Sequence, residues 1–212
     1  MRPRDVLRVY DSTPEVLSGE SLPAGPLPVQ DGEQIGVVVF NLGGPASLDG
    51  VEPFLYQLFM DPAFLDLPVG RRLRRWLASA GARLRAGTLR RRFEMIGGES
   101  PLLALAHEQA DALESHLNAV YGAAVGAQFR TYPAMRYSAP FPEEAAERME
   151  ADGVDKVVLF PSFPQYSAAT TGSALAYWGA LRAAGERPSW PTTAVPEYAA
   201  HPKFIQSVSE RI

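Results

Sequence analysis

Two hydrophobic periods alternate along this chain, and the places where one gives way to the other divide it into elements. Residues 35–41, Ile-Gly-Val-Val-Val-Phe-Asn, are a short β-branched run with no polar face, the pattern of a strand buried on both sides. Leu42-Gly43-Gly44-Pro45 closes the run as a turn. Ser47 or Asp49 can cap the helix that follows, whose apolar residues Val51, Phe54, Leu55, Leu58 and Phe59 fall at helical spacing until Asp61-Pro62 ends it. Ser100-Pro101, a cap residue followed by proline, opens another helix with the stripe Leu103, Ala106, Ala110, Leu113 and Leu117. Gln128 to Tyr137 predicts a strand, and Pro142-Glu143-Glu144 starts a helix with acids in its first turn, which suits the helix dipole. Lys156 to Phe163 predicts a hydrophobic strand, followed by an alanine-rich helix over 168–184 that Gly185 ends. Pro191 to Val195 is a weaker strand pattern, since Pro191 fits only at its start, and Pro202 opens a last helix with Phe204, Ile205 and Val208 on one face. Strands and helices alternating at these lengths predict an α/β fold, a parallel sheet with helices on both faces.

The two ends depart from this pattern. Residues 1–34 read as an irregular Pro-rich leader: Pro3, Pro14, Pro23, Pro26 and Pro28 interrupt any helix, and no apolar core of a signal peptide appears. With no run of 18 apolar residues either, the expected location is cytoplasmic. The last helix reaches Ile212 with no Gly, Asn or Pro to stop it, so the sequence is expected to be an amino-terminal part of something longer. On that expectation 35–200 is a first half and 201–212 the start of the next helix.

Composition narrows the classes. The 212 residues are 46% hydrophobic and carry a net charge of -4, values of an ordinary globular protein with no basic field to attract nucleic acid. The absence of cysteine excludes a disulfide scaffold, a thiolate metal site and a cysteine nucleophile within these residues. The net charge conceals one asymmetry. Segment 71–92 holds nine of the 18 arginines and no acidic residue, with Leu73, Trp76, Leu77, Ala80 and Leu84 as an apolar stripe alongside. A basic amphipathic helix suits an anionic membrane surface or a carboxylate-bearing ligand; it also suits a plain solvated face.

Loops at the carboxyl ends of parallel strands are where open α/β sheets bind ligands. Gly43-Gly44 lets a backbone approach a flat ligand, or simply makes a tight turn. Neither G-x-G-x-x-G nor a P-loop occurs, which counts against a nucleotide-binding protein. Gln165 to Ser173 carries hydroxyls at a helix start, equally a polar cradle or ordinary N-capping. Phe93 to Pro101 contains a second Gly pair and a cap serine. His107 and His116 lie on different faces of one helix, His201 is placed to cap the last helix, and none has metal-ligand spacing.

Taken together, these segments resemble ferrochelatase, which inserts ferrous iron into a porphyrin at the end of haem synthesis. The matching stretches, in the family's order, are Asn41-Leu-Gly-Gly-Pro45, Phe54-Leu-Tyr-Gln-Leu-Phe59, Ile96-Gly-Gly-Glu-Ser-Pro101, Met135-Arg-Tyr137, Glu143-Glu144, Asp152-Gly153, Pro164-Gln-Tyr-Ser167 and Thr170-Thr-Gly-Ser173. The resemblance implies a Rossmann-like fold, the first of two similar halves around a porphyrin cleft. It implies that Leu42, Phe93, Ser100, Arg136 and Tyr137 face or support that cleft. Residues 61–96 would be the lip that covers the macrocycle and, in some members, meets the membrane. Porphyrin, as protoporphyrin IX or coproporphyrin III, and ferrous iron are then the substrates, with contact to an anionic membrane through 71–92.

Two departures qualify the match. Phe163 replaces the family's usual tyrosine, and Ala168 stands where some members carry a cluster-ligating cysteine, so no iron–sulfur cluster is expected. The family's catalytic His and metal-handling Glu belong to the second half, and neither motif occurs here. No catalytic or metal-binding residue is therefore expected in this chain, which alone should insert no iron. The alternative is a non-catalytic tetrapyrrole-binding module.

Overall fold

The computed structural model describes residues 25–183 and 189–212. Residues 1–24 of the expected leader and the helix end expected at Gly185 lie outside the described residues. Four strands, β1 (Gln34–Asn41), β2 (Gln128–Met135), β3 (Lys156–Pro161) and β4 (Thr192–Ala194), form one parallel sheet in the order β2-β1-β3-β4.

The run read as a doubly buried strand is the central one. Val37 and Val39 pack with Ala110, Leu113 and Leu117 of helix α3 (Leu102–Leu117) on one face. Val38 and Phe40 point the other way, into a cluster with α4 (Pro142–Ala151) and α5 (Ser173–Ala183). Side chains alternate across a strand, so only an apolar residue at every position can fill both layers. The predicted α/β sheet with helices on both faces is thus the one observed. β3 ends at Pro161 rather than Phe163. Ser162 still donates to the Phe40 carbonyl, at 2.9 Å, but the next donor in register would be Pro164, which has no N–H. β4 keeps Pro191 just outside its start. At the start of α5 the chain first makes a π-turn over Ala168–Gly172.

Two helices stand apart from the sheet. Ser47 caps a short 3₁₀ turn, Leu48–Gly50, that leads into α1 (Val51–Met60). The long α2 (Arg71–Glu94) packs on α1 through Ala82 and Ala86, with Ala78 buried one turn before them, small residues at i, i+4 spacing that let two helices approach closely. The larger stripe of Leu73, Trp76 and Leu84 faces outward instead, with Trp76 66% and Leu84 83% exposed. α6 (Pro202–Ser209) is capped by His201, whose Nδ1 accepts from the Lys203 N–H at 3.3 Å. Of its apolar face, Phe204 meets Tyr198 edge-on while Ile205 and Val208 stay exposed. No helix among the described residues is long and apolar enough to cross a membrane.

Candidate functional site

The chain moves outward from β1 to β2, then crosses back to β3 and β4. That reversal opens a crevice at the carboxyl ends of the central strands. The loops after β1 and β2 fill its floor. Gly43 has φ +83°, and a side chain there would collide with Ser138; one on Gly44 would collide with Ser100. The Gly44 N–H donates to Ser138 Oγ at 3.2 Å, and the Ser100 N–H to the Pro45 carbonyl at 2.9 Å. The glycine pair therefore serves close packing of three chain segments. Main-chain pairing continues past the strands, from the Arg136 N–H to Asn41 and from the Tyr137 N–H to the Leu42 carbonyl, at 2.9 and 3.0 Å. Leu42, Ser100, Arg136 and Tyr137 thus converge. Phe93 sits elsewhere, at the end of α2, packed on the cluster of Val51, Leu55, Ala82 and Ala86.

Arg136 and Tyr137 are both buried, at 4% and 1% exposure. Their partner is Asp61, just past the end of α1. Its Oδ2 accepts from Arg136 Nη2 at 3.0 Å, Tyr137 Oη at 2.8 Å and Ser173 Oγ at 2.7 Å, while its Oδ1 accepts from the Ala63 N–H at 2.8 Å. Arg136 Nε donates to Ser173 Oγ at 2.8 Å, and its guanidinium lies 4.4 Å from the Tyr177 ring centre. Tyr177 in turn donates to Glu143 at 2.5 Å. A buried ion pair persists only when its remaining donors and acceptors are satisfied in this way. Burial, then the adjacent Asp61 charge, pushes the Tyr137 phenol well above the ordinary tyrosine range, so it stays a donor. Arg136 thus supports the floor; its guanidinium is committed to neighbours within the fold. In the sequence Asp61 marks only a helix end and Ser173 one hydroxyl among several, so neither signalled this network. Nor does Ser167 cap the π-turn through its side chain.

Three clefts border α1: one of about 390 Å³ beside Tyr56, Ser79 and Arg90, whose carboxylates Asp49 and Glu52 disfavour an anionic ligand, and two on opposite faces of the helix. At roughly 100° per residue, Pro53, Phe54 and Gln57 lie on one face of that helix, and Leu55, Leu58 and Phe59 on the other. The first face borders a cleft of about 280 Å³ with Gly44, Pro45, Tyr137, Ser138 and Phe141. The second borders a cleft of about 410 Å³ closed by Phe64, Leu65 and Leu89, with Arg85 and Arg92 at its edge. Those two arginines are two helical turns apart on α2, about 10.5 Å along its axis. Among the described residues no three His, Asp or Glu side chains gather as a metal site. His107 and His116 are exposed on α3.

Comparison with known proteins decides the family: the family model described as ferrochelatase matches residues 34–212. The chain belongs to the ferrochelatase family. It is 37% identical to the ferrochelatase of Aquifex aeolicus (strain VF5) over 177 residues, 84% of this chain and 53% of that protein. Identity reaches 43% with the ferrochelatase of Gloeobacter violaceus over 140 residues, 66% of this chain and 41% of the relative. With that of Hyphomonas neptunium it is 45% over 150 residues, 69% and 40% of the two chains. The chain spans about half the length of the curated relatives it matches. The stretches that carried the resemblance fall inside the matched region, and several of them meet in the floor just described. Of the expected site residues, the ferrochelatase fold collects Leu42, Ser100, Arg136 and Tyr137 in that floor and sets Phe93 against α1.

Proposed function

We propose that this chain is the porphyrin-holding part of a ferrochelatase, and that the cleft between α1 and α2 takes the porphyrin's carboxylate-bearing edge. The observation that carries this is the pairing of apolar walls, Phe59, Phe64, Leu65 and Leu89, with the guanidiniums of Arg85 and Arg92. A porphyrin is a flat apolar ring with carboxylates at its rim, and arginine pairs with carboxylates bidentately. The cleft on the other face of α1 has no basic residue in its lining. In this reading Phe93 backs the α1–α2 wall. Leu42, Ser100 and Tyr137 form the floor along the opposite face of α1, and Arg136 braces it.

In the whole protein, ferrous iron is substrate, and a His acting as general base removes the pyrrole protons. That His and a metal-handling Glu are expected outside these residues. Binding energy from the macrocycle's edge bends the ring toward the metallated geometry. Ala168 supports an enzyme without an iron–sulfur cluster. The outward stripe of Leu73, Trp76 and Leu84 among exposed arginines supports peripheral contact with an anionic membrane.

The test is titration of the chain with mesoporphyrin IX, followed by the shift of the Soret band. Saturable binding is expected, weakened about tenfold or more when Arg85→Met and Arg92→Met are combined, since each removes a charge-assisted contact. Equal affinity of the double variant refutes the assignment of the cleft. Binding without metal insertion is the expected behaviour of the 212 residues alone, and turnover by them refutes the placement of the chemistry elsewhere.

A further inference from the structure

The nine arginines of 71–92 are indistinguishable in sequence, but the fold separates one from the rest. Seven are exposed, and Arg90 is half-buried with its Nε donating to the Leu48 carbonyl at 3.0 Å. Arg74 is 3% exposed. Its guanidinium reaches back from α2 into the preceding turn, Nη1 donating to the Leu65 carbonyl and Nη2 to the Leu67 carbonyl, both at 2.8 Å. Phe64 and Leu65 of that turn are a wall of the α1–α2 cleft.

Asp61 holds the other end of the same turn. Its backbone carbonyl accepts from the Phe64 and Leu65 N–H groups at 3.2 and 2.9 Å, and its Oδ1 from Ala63. The segment between the helices is thus clamped between a buried carboxylate and a buried guanidinium. Arg74 stands in the first turn of α2, where the helix dipole disfavours a cation, and burying the charge adds a desolvation cost. Neither helix propensity nor solubility accounts for an arginine there. Two carbonyls two residues apart do, because the guanidinium fork bridges both whereas a lysine offers a single point charge.

We propose that Arg74 is a positioning residue for the porphyrin cleft, presetting the Phe64–Leu65 wall so that ligand binding need not order the turn. This rests on the assignment of the cleft made above. Arg85 and Arg92 act outward, on the ligand's carboxylates, while Arg74 acts inward on the backbone. Preorganisation of this kind raises affinity by removing an ordering cost.

The experiment uses the full chain with Arg74→Ala, Arg74→Lys and, as control, the exposed neighbour Arg72→Met. Mesoporphyrin IX affinity and amide hydrogen exchange over 62–67 are both measured. Arg74→Ala should bind about tenfold more weakly, because the cost of ordering the turn returns on binding, and exchange faster in the turn. Added guanidinium ion should restore both, which loss of global stability would not allow. Arg72→Met should match the unaltered chain in both. A folded Arg74→Ala chain with unchanged affinity and unchanged exchange overturns the proposal. Should that variant fail to fold, Arg74→Lys decides: full affinity with full protection of the turn overturns it, and weaker binding with faster exchange supports it. If the unaltered chain binds no porphyrin, the cleft assignment fails and the ligand half of the proposal with it. Exchange over 62–67 then decides the clamp alone, and unchanged rates in the variants refute it.

Discussion

Removing the Asp61 carboxylate is the sharpest perturbation the fold offers. The side chain is fully buried and accepts hydrogen bonds from Arg136, Tyr137 and Ser173 on one oxygen and from the Ala63 N–H on the other. In Asp61→Ala the Arg136 guanidinium keeps Ser173 and the Tyr177 face but loses its counter-charge at 4% exposure. Deleting one partner of a buried pair costs about 3–5 kcal/mol, because the remaining charge stays desolvated. For a chain of this length each kcal/mol lowers Tm by about 2–4 °C, so a fall of roughly 10 °C is expected. Thermal and urea unfolding followed by far-ultraviolet circular dichroism measure it. A second arm separates the charge effect from lost packing. Asp61→Leu combined with Arg136→Met removes both charges, and the pair should be less destabilised than the sum of the single variants by more than about 1 kcal/mol. Strict additivity, or a cost below about 1 kcal/mol for Asp61→Ala, refutes the claim that this network holds the floor.

Gly44→Ala should destabilise by about 1–3 kcal/mol through collision with Ser100, and Ser100→Gly in the same chain should recover most of it; urea midpoints of the three variants report this. Asp152 accepts from the Tyr132 hydroxyl at 2.8 Å and pairs with Arg130 at 3.1 Å, which together hold its carboxyl below the ordinary aspartate range. Because the folded value is the lower one, the stabilisation is present above the ordinary aspartate pKa of about 4 and is lost as pH falls below it. Asp152→Asn should therefore flatten the acid limb of the stability curve and leave its shape near neutrality unchanged. Sedimentation with vesicles should show salt-sensitive binding to anionic lipid, weakened by Trp76→Ser with Leu84→Ser; equal binding to neutral vesicles refutes the membrane contact.

Much of the fold was legible from residue order alone because its signals are local. The continuous apolar run of β1 and the alternation of strand and helix depend on neighbours within a few positions and reappear in place; the helix expected from Ser100-Pro101 starts one residue later, at Leu102, with Pro101 at its cap position. The ordered motifs likewise marked the family, and four of the five expected site residues meet at the strand ends. What residue order left open is decided by contacts between distant segments. Ser173 and Asp61 are 112 positions apart, and no periodicity links them until the sheet brings α5 beside the end of α1. In α2 the stripe evident in the sequence was Leu73, Trp76, Leu77, Ala80 and Leu84, while Ala78, Ala82 and Ala86 line another face. Tertiary packing chose the alanines, because only small side chains let that helix approach α1, and so turned Leu73, Trp76 and Leu84 outward. The same choice drew Arg74 inward and left seven arginines at the surface. Sequence determined which segments are strand, helix and turn; which face, and which charge, goes inside is settled only when those segments meet and each buried polar group must find a partner.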